Sequence, residues 1–214
     1  MQIEPVAYFH SPFPEKFGIP RQSGLVKELK GEVVFTPSFA SPDAVRGLEG
    51  FDYVWLIWGF NLNGESKSLT VRPPRLGGNE RIGVFASRSP FRPNPIGLSC
   101  VRIEAIGDGR IAVSGADLAD GTPIYDIKPY VAYSDSHPDA RGGFTDTREW
   151  TKLEVEMSER TRSLFTEEEA KALEGILALD PRPRYQDDPE REYGMSFAGQ
   201  NIRFKVTQGK ITVL

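Results

Sequence analysis

Seventeen prolines and 21 glycines break the 214-residue chain at short intervals along most of its length. Proline fixes φ and lacks an amide hydrogen, and glycine favours turns, so this spread permits only short elements. Between residues 3 and 133 the stretches between these breaks alternate apolar and polar residues or form short apolar runs, which is typical of strands. We therefore predict a mainly β chain, with an N-terminal single-sheet β-barrel over residues 1–136 and a small α+β domain over 137–214.

The barrel strands are predicted from local patterns. Val101, Ile103 and Ala105 point to one face of a half-buried strand, and the Gly-Asp-Gly at 107–109 predicts a hairpin after it. Residues 51–58 are nearly all apolar, which favours a central strand buried on both faces. The full set of predicted strands is 3–9, 24–35, 51–60, 69–72, 82–86, 97–106, 110–115 and 125–133.

Two helices and a closing hairpin complete the prediction. Ser41-Pro42-Asp43 offers an N-cap and a proline at the first helical position, and Gly50 can end that helix. Residues 166–169 form a capping box that begins a second helix, which should stop before Asp180-Pro181. Its predicted apolar face consists of Leu173, Ile176 and Leu177. Residues 201–206 and 210–214 predict a hairpin around Gln208-Gly209.

The composition excludes several classes of protein. A single cysteine rules out an intramolecular disulfide framework, and with only two histidines we expect no metal site. Cys100 lies in an apolar stretch and is predicted to be a small buried hydrophobe. The N-terminus lacks a secretory signal pattern, and the most apolar window, 53–60, is too short to cross a bilayer. We expect a soluble, cytoplasmic protein with no membrane partner.

Residues 88–99 carry more prolines and cations than a core strand needs. Three prolines within six residues stiffen a loop that holds two arginines and an asparagine, and arginine suits phosphate, carboxylate or aromatic faces. Residues 66–103 contain seven basic residues and one acidic residue, a local charge of +6 that leaves −10 for the rest of the chain. A basic stretch on an acidic protein fits an RNA backbone. The alternative is a stiff turn whose arginines are solvated or paired with acids elsewhere.

Residues 117–130 form the second unusual segment. Asp120-Gly121 predicts a tight turn, and Asp126, Lys128 and Tyr130 alternate along an extended stretch, so their side chains should share one face. Carboxylate, ammonium and phenol groups on one face can form a polar site. The alternative is a surface ion pair beside a turn, with little energetic effect.

Several common signatures are absent from the sequence. It has no P-loop, no Gly-x-Gly-x-x-Gly and no Gly-x-Ser-x-Gly, and two histidines leave few options for a Ser-His-Asp triad. A hydrolase therefore has almost no support.

Segments 88–99 and 117–130 together resemble the paired signatures of the TsaA/TrmO family of S-adenosylmethionine-dependent tRNA methyltransferases. Lys16-Phe-Gly-Ile-Pro-Arg-Gln22 and Asp187-Asp-Pro-Glu-Arg-Glu-Tyr-Gly194 extend the resemblance over nearly the whole chain. It implies N6-methylation of threonylcarbamoyladenosine at position 37 of threonine tRNA. It also implies a β-barrel catalytic domain and a homodimer, with S-adenosylmethionine bound at or near the subunit interface.

The resemblance also implies a set of cofactor contacts in this chain. Relatives often carry histidine where Asn61 stands. The residues carried over are Pro20, Arg21, Gln22, Phe60, Asn61, Arg88, Leu98, Asp120, Gly121, Thr122 and Pro123.

Further roles are assigned to residues outside the cofactor set. Asp126 and Tyr130 are candidates for shaping the reaction site, because an exocyclic amine needs positioning and an acceptor for its proton. Arg92 in the basic stretch, together with Arg182, Arg184 and Tyr185, is predicted to contact RNA, since cations interleaved with an aromatic suit a backbone and a stacked base. The alternative for residues 181–185 is a proline-rich loop packed on the barrel. The alternative function for the whole chain is a non-catalytic module that binds RNA or an adenosyl ligand.

Overall fold

The computed structural model describes residues 2–64, 66–77, 80–146, 151–183 and 188–214. The strands are β1 (Ala7–His10), β2 (Lys30–Phe35), β3 (Tyr53–Gly59), β4 (Thr70–Val71), β5 (Ile82–Gly83), β6 (Ile96–Gly107), β7 (Arg110–Ser114), β8 (Thr122–Pro129), β9 (Glu154–Glu156), β10 (Tyr193–Phe197), β11 (Gln200–Thr207) and β12 (Lys210–Val213). The helices are α1 (Ala132–Asp135), α2 (Glu159–Arg162) and α3 (Glu167–Ala178). None of the described helices has the length and apolar content to span a membrane.

Six antiparallel strands close into a barrel in the order β1-β2-β7-β6-β3-β8, which confirms the predicted mainly β fold. Closure pairs β8 with β1, so every barrel strand has two neighbours. Alternate side chains fill the interior, among them Phe9, Leu56, Ile111 and Ile124, each with no exposed surface. The Asp108-Gly109 turn between β6 and β7 is the predicted hairpin, with both residues at positive φ.

The prediction that residues 51–58 form a strand buried on both faces is wrong. In β3, Val54, Leu56 and Trp58 point into the barrel, whereas Tyr53 and Trp55 point outward and keep accessible surface. A closed barrel has a single interior, so the outer face of β3 lies outside that core, where Trp55 packs 5.9 Å from Tyr130 and donates Nε1 to Asp135 Oδ2 at 2.9 Å. The long apolar run therefore leaves an apolar outer surface that the core does not explain.

The predicted strand 24–35 is shorter, because β2 begins only at Lys30. Val26 and Leu29 leave the barrel and pack in a second core with residues of α3. Gly24 still donates its N–H to the carbonyl of Gly115 at 2.8 Å, which ties this segment to the end of β7.

Two other predicted elements differ in detail. The helix after Ser41 is instead a pair of 3-10 turns, Pro42–Val45 and Leu48–Gly50, although Ser41 does cap the first one. Gly47 at φ +88° separates the two turns. The predicted strand at 125–133 is β8, which ends at Pro129 and is followed by α1.

A four-stranded sheet in the order β10-β11-β12-β9 and helix α3 form the C-terminal α+β region. Thr166 and Glu169 make the predicted capping box, and Leu173, Ile176 and Leu177 are buried as predicted. The β11–β12 hairpin turns at Gln208-Gly209, also as predicted. Strands β9 and β10 are not among the predicted elements.

The loop between β1 and β2 joins this second core. Phe13, Val26 and Leu29 are buried against residues of α3 and of the C-terminal sheet. Ala198 also donates its N–H to the carbonyl of Pro12 at 3.0 Å. The N-terminal loop is thus held between the barrel and the C-terminal region, and the division at residues 136 and 137 stays a prediction.

Candidate functional site

The two unusual segments open on the same rim of the barrel. Residues 88–95 lead into β6, and residues 115–121 lead into β8. Gly59 at the end of β3 pairs with Ile96 at the start of β6, and Phe9 near the end of β1 pairs with Thr122 at the start of β8. Because neighbouring strands run antiparallel, both loops meet the ends of β1 and β3 at one rim.

The turn at 119–122 is held by its own backbone and by the β1 end. Thr122 donates its hydroxyl to the carbonyl of Ala119 at 2.8 Å, and Gly121 donates its N–H to the carbonyl of Phe9 at 2.8 Å. Gly121 adopts φ +73°, which favours glycine, and a Cβ there would meet no atom within 4 Å. The turn is therefore rigid and has open space beside it.

A histidine with no predicted role lies beside this turn. His10 Nδ1 is 3.1 Å from Asp120 Oδ1, and the same oxygen accepts the N–H of Ser11 at 3.1 Å. Both side chains are about half exposed. His10 and Asp120 are 110 positions apart in the sequence and give no local signal, so only the barrel closure reveals the pair.

The end of β3 connects the two segments. Asn61 donates its side-chain amide to the carbonyl of Gly121 at 3.4 Å, and Phe60 donates its N–H to the carbonyl of Pro95 at 2.8 Å. The Phe60 ring packs edge-on against Trp58, with centroids 4.3 Å apart. Residues 60 and 61 thus touch both loops, as expected if all three segments form one site.

The 20–23 segment contacts the loop before β6 and β6 itself. Arg88 donates Nη1 to Gln22 Oε1 at 2.7 Å, and Cys100 donates its N–H to Ser23 Oγ at 3.2 Å. Pro20 is buried, and Arg21 donates to the carbonyl oxygens of Asp180 and Arg182 at 3.5 and 3.3 Å. This segment therefore links the barrel to residues 180–182.

Other predicted residues of this region differ in exposure. The Leu98 side chain points outward and is 52% exposed. Cys100, predicted to be buried, is half-buried, because it lies on the outer face of β6.

A polar network runs from inside the barrel to this rim. Trp58 Nε1 donates to Ser99 Oγ at 2.9 Å, and Ser99 Oγ donates to Asp117 Oδ1 at 2.5 Å. Burial raises the pKa of the Asp117 carboxyl to about 6, against the lowering effects of Ser99, of the backbone amides of Asp117 and Ser23, and of Arg88. Asp117 begins segment 117–130, but the sequence alone gives it no role.

The two predicted catalytic candidates lie elsewhere, Asp126 within β8 and Tyr130 just after its end. Asp126 forms an ion pair with Lys128 at 2.9 Å on the outer face of the barrel. Tyr130 lies at the opposite rim, where its ring packs 5.9 Å from Trp55 and 6.2 Å from Tyr53. Eight residues of extended chain separate Tyr130 from Thr122, a span of about 26 Å. Within one chain, Tyr130 and the 119–122 turn are not brought together.

The predicted RNA contacts are placed unequally. Arg92 donates Nη1 to the carbonyl of Ser87 at 3.1 Å in the loop before β6. Arg182 pairs with Asp180 through contacts of 2.8 and 3.0 Å and keeps only 11% of its side chain exposed. Arg184 and Tyr185 lie outside the described residues.

The described residues contain no group of three or more histidine, cysteine, aspartate or glutamate side chains that could hold a metal ion.

Comparison with known proteins extends over both regions of the chain. The family model for the tRNA-methyltransferase O N-terminal domain matches residues 8–136, and the model for the TrmO C-terminal domain matches residues 150–214. The Escherichia coli tRNA (adenine(37)-N6)-methyltransferase is 40% identical over 225 residues, covering 99% of this chain and 96% of that protein. A Pseudomonas aeruginosa protein whose name assigns it to the S-adenosylmethionine-dependent methyltransferases is 44% identical over 90% of this chain and 87% of its own length. A crystal structure of TrmO from Pseudomonas aeruginosa superimposes with a TM-score of 0.82 at 37% identity, covering all of this chain and 95% of that one.

Proposed function

This chain belongs to the tRNA-methyltransferase O family, and from that premise we propose that it is an S-adenosylmethionine-dependent methyltransferase acting on N6 of adenosine 37 in tRNA. The substrate we propose in detail is threonylcarbamoyladenosine 37 in the anticodon loop of threonine tRNA. Action on tRNA implies activity in the cytoplasm. The observation that carries the proposal is the meeting of segments 88–95 and 115–121 at one rim, in a chain matched over both regions by one family.

The rim residues fit the cofactor chemically. S-adenosylmethionine combines an adenine, a ribose diol, a cationic sulfonium and an amino-acid end. Asp120 offers a half-exposed carboxylate for hydroxyl or cationic groups, Arg88 offers a guanidinium for a carboxylate, and exposed Leu98 offers an apolar surface for a ring. The open space beside Gly121 lets a ligand approach the backbone closely. We propose that these groups hold the cofactor, together with Pro20, Arg21, Gln22, Phe60, Asn61, Thr122 and Pro123.

The cofactor supplies a methyl group already activated by the sulfonium. The work of the chain is therefore alignment of the adenine nitrogen with that carbon, which favours stiff loops over a dedicated electrophile. The prolines of 90–95 and the hydrogen bonds of the 119–122 turn supply that stiffness.

Asp126 and Tyr130 remain our candidates for shaping the reaction site, but the position of Tyr130 limits how it can take part. Tyr130 is remote from the 119–122 turn within one chain, so its participation requires a second copy. The test is the rate of methyl transfer by Asp126→Ala and Tyr130→Phe. Near-wild-type rates in both variants would remove them from any chemical role.

We propose a homodimer that uses the outer face of β3 and β6 around Ile96 and Leu98. Ile57 pairs with Leu98, and Ile96 pairs with Gly59 two positions along the same strands, so the side chains of Ile57, Ile96 and Leu98 form one outward apolar surface. Ile96 is 42% and Leu98 52% exposed. Burying such a surface against a second copy would explain the long apolar run of β3. Light scattering of Ile96→Glu should show a shift from dimer to monomer, and a variant that stays as dimeric as the wild type would contradict this interface.

We propose that RNA contacts come from Arg92 and from the C-terminal region, including Arg182, Arg184 and Tyr185. Arg21 holds the C-terminal region to the 20–23 segment, and we propose that this region supports tRNA binding or the dimer. The guanidinium of Arg182 is paired with Asp180. The double variant Arg182→Ala/Arg184→Ala therefore removes both predicted RNA-contacting arginines of the 181–185 segment, and it tests whether that segment contributes to tRNA affinity and to the salt dependence of that affinity.

The decisive experiment is mass spectrometry of nucleoside 37 in threonine tRNA after incubation with the protein and methyl-labelled S-adenosylmethionine. We expect a gain of one methyl group on threonylcarbamoyladenosine, and none on an unmodified transcript. Binding of cofactor and tRNA without any labelled RNA would instead support the alternative, a non-catalytic binding module. Asp139→Asn, in an exposed loop, serves as the matched control for substitutions at the rim.

A further inference from the structure

The chain between β3 and β6 leaves the barrel as a basic excursion, defined as the described residues 66–77 and 80–95. It carries six cations and one acid, Glu80, for a local charge of +5 on a protein of net charge −4. The cations are Lys67, Arg72, Arg75, Arg81, Arg88 and Arg92. The strands described within it are the short pair β4 and β5, which form a separate two-stranded sheet, so the excursion is a surface feature rather than part of the barrel wall.

The positive charge of this excursion is not neutralised within the described part of the chain. The hydrogen bonds of Arg81, Arg88 and Arg92 go to neutral oxygens, at 2.9, 2.7 and 3.1 Å. No described carboxylate forms a salt bridge with any of the six cations. Elsewhere cations commonly face acids, as in Lys30–Glu168 at 2.5 Å. Arg88 lies near enough to Asp117 to lower the pKa of that carboxyl, so the charge that the described acids leave without a salt bridge is mainly that of the other five cations, which favours a polyanionic ligand.

The excursion also presents aromatic rings to solvent from an anchored turn. Phe85 is 79% exposed at the centre of the 3-10 turn Val84–Ala86, and Phe91 is 50% exposed. Val84 is 1% exposed and its N–H donates to the carbonyl of Leu69 at 2.9 Å. Ser87 Oγ donates to the carbonyl of Val84 at 2.9 Å, which closes the other end of the turn. A ring held outward in this way is preorganised for stacking rather than for the core.

We propose that the basic excursion is a platform for a single-stranded RNA loop, on which Phe85 and Phe91 stack bases while Arg72 and Arg81 contact the flanking phosphates. Exposed aromatics among cations are the combination that single-stranded nucleic acids require. Arg88 belongs both to the excursion and to the rim, through its contact with Gln22, so a base stacked here lies next to the proposed cofactor site. The inference rests on the proposed function and deepens it by naming the surface that holds the tRNA loop.

The test compares tRNA affinity across matched variants by fluorescence anisotropy at several salt concentrations. Phe85→Ala should weaken tRNA binding about tenfold, the effect of losing one base–aromatic stack, and Phe85→Trp should retain wild-type affinity. Tyr133→Ala is the control, because Tyr133 is 94% exposed but lies on α1. Loss of affinity in the control as well would contradict a specific platform.

The charge component is tested separately. Arg72→Gln/Arg81→Gln should reduce the slope of log affinity against log salt by about 1.4, since each phosphate contact on a single strand contributes about 0.7. Arg141→Gln/Arg160→Gln, at exposed positions outside the excursion, should leave that slope unchanged.

Two further measurements separate the possible failures. Cofactor affinity and oligomeric state should be unchanged in Phe85→Ala. Weaker cofactor binding at normal tRNA affinity would overturn the proposal and assign the surface to the cofactor. Loss of the dimer at normal tRNA affinity would overturn it and assign the surface to a second copy. Active wild-type enzyme with unaltered tRNA affinity in Phe85→Ala would also overturn it while leaving the proposed function intact. A wild-type protein that labels no tRNA would instead refute the proposed function.

Discussion

Replacing Asp117 by asparagine should change how the stability of the barrel depends on pH. The Asp117 carboxyl is enclosed behind Ser99, and its burial raises the pKa from about 3.8 to about 6. The native state therefore binds this proton more tightly than the unfolded state, so the free energy of unfolding falls as pH rises from about 4 through 6. A shift of about two units corresponds to about 3 kcal/mol, an upper value because the residue keeps some solvent contact. An asparagine side chain cannot ionise, so the variant lacks this loss.

The assay is urea unfolding of wild type and Asp117→Asn between pH 4 and pH 7.5, followed by tryptophan fluorescence. The stability of the variant relative to wild type should rise by up to about 3 kcal/mol over this range. Asp139→Asn controls for removal of an exposed carboxylate. A difference that stays constant within about 0.5 kcal/mol across the range would refute the reasoning, because it would mean that water still solvates the Asp117 carboxylate.

Three other substitutions test the packing around the site and the best-defined helix. Ser99→Ala removes the acceptor of Trp58 Nε1 and the donor to the buried carboxylate, so the free energy of urea unfolding should fall by about 1–3 kcal/mol; an unchanged value would mean that water replaces the hydroxyl. Gly97→Ala would place a Cβ in steric conflict with the Trp58 ring and should lower stability by about 1–3 kcal/mol, whereas Gly107→Ala, with open space around it, should have a much smaller effect. Thr166→Ala removes the N-cap of α3 and should cost about 1 kcal/mol in thermal unfolding, and a neutral result would show that Glu169 alone caps the helix.

Features fixed by neighbouring residues were predictable from the sequence. The Asp108-Gly109 and Gln208-Gly209 turns, the capping box of α3 and its end before Asp180 all follow from residues within a few positions of one another. The paired motifs at 88–99 and 117–130 were equally recognisable, because each is one continuous stretch of the sequence. These patterns were sufficient for the mainly β barrel with an α+β C-terminal region, and the resemblance supplied the family.

Predictions that depend on what covers a surface were less secure. The run at 51–58 is apolar enough for a strand buried on both faces, yet barrel closure leaves one face of β3 outside. Residues 24–29 read as part of a strand, but Val26 and Leu29 pack in the second core instead. The hydrophobicity of a residue predicts that its side chain will be shielded from water, but it does not predict which element will pack against that side chain.

The sequence by itself therefore determined the local turns, the helix cap, the class of fold and the two motifs that identify the family. Only the tertiary structure decided that both motifs open on one rim, that His10 meets Asp120, that Asp117 is enclosed by Ser99, and that Tyr130 lies at the far end of β8. The physical reason is closure of the barrel. Hydrogen bonds between β1 and β8 bring together residues more than a hundred positions apart, and no local pattern in the chain encodes that distance.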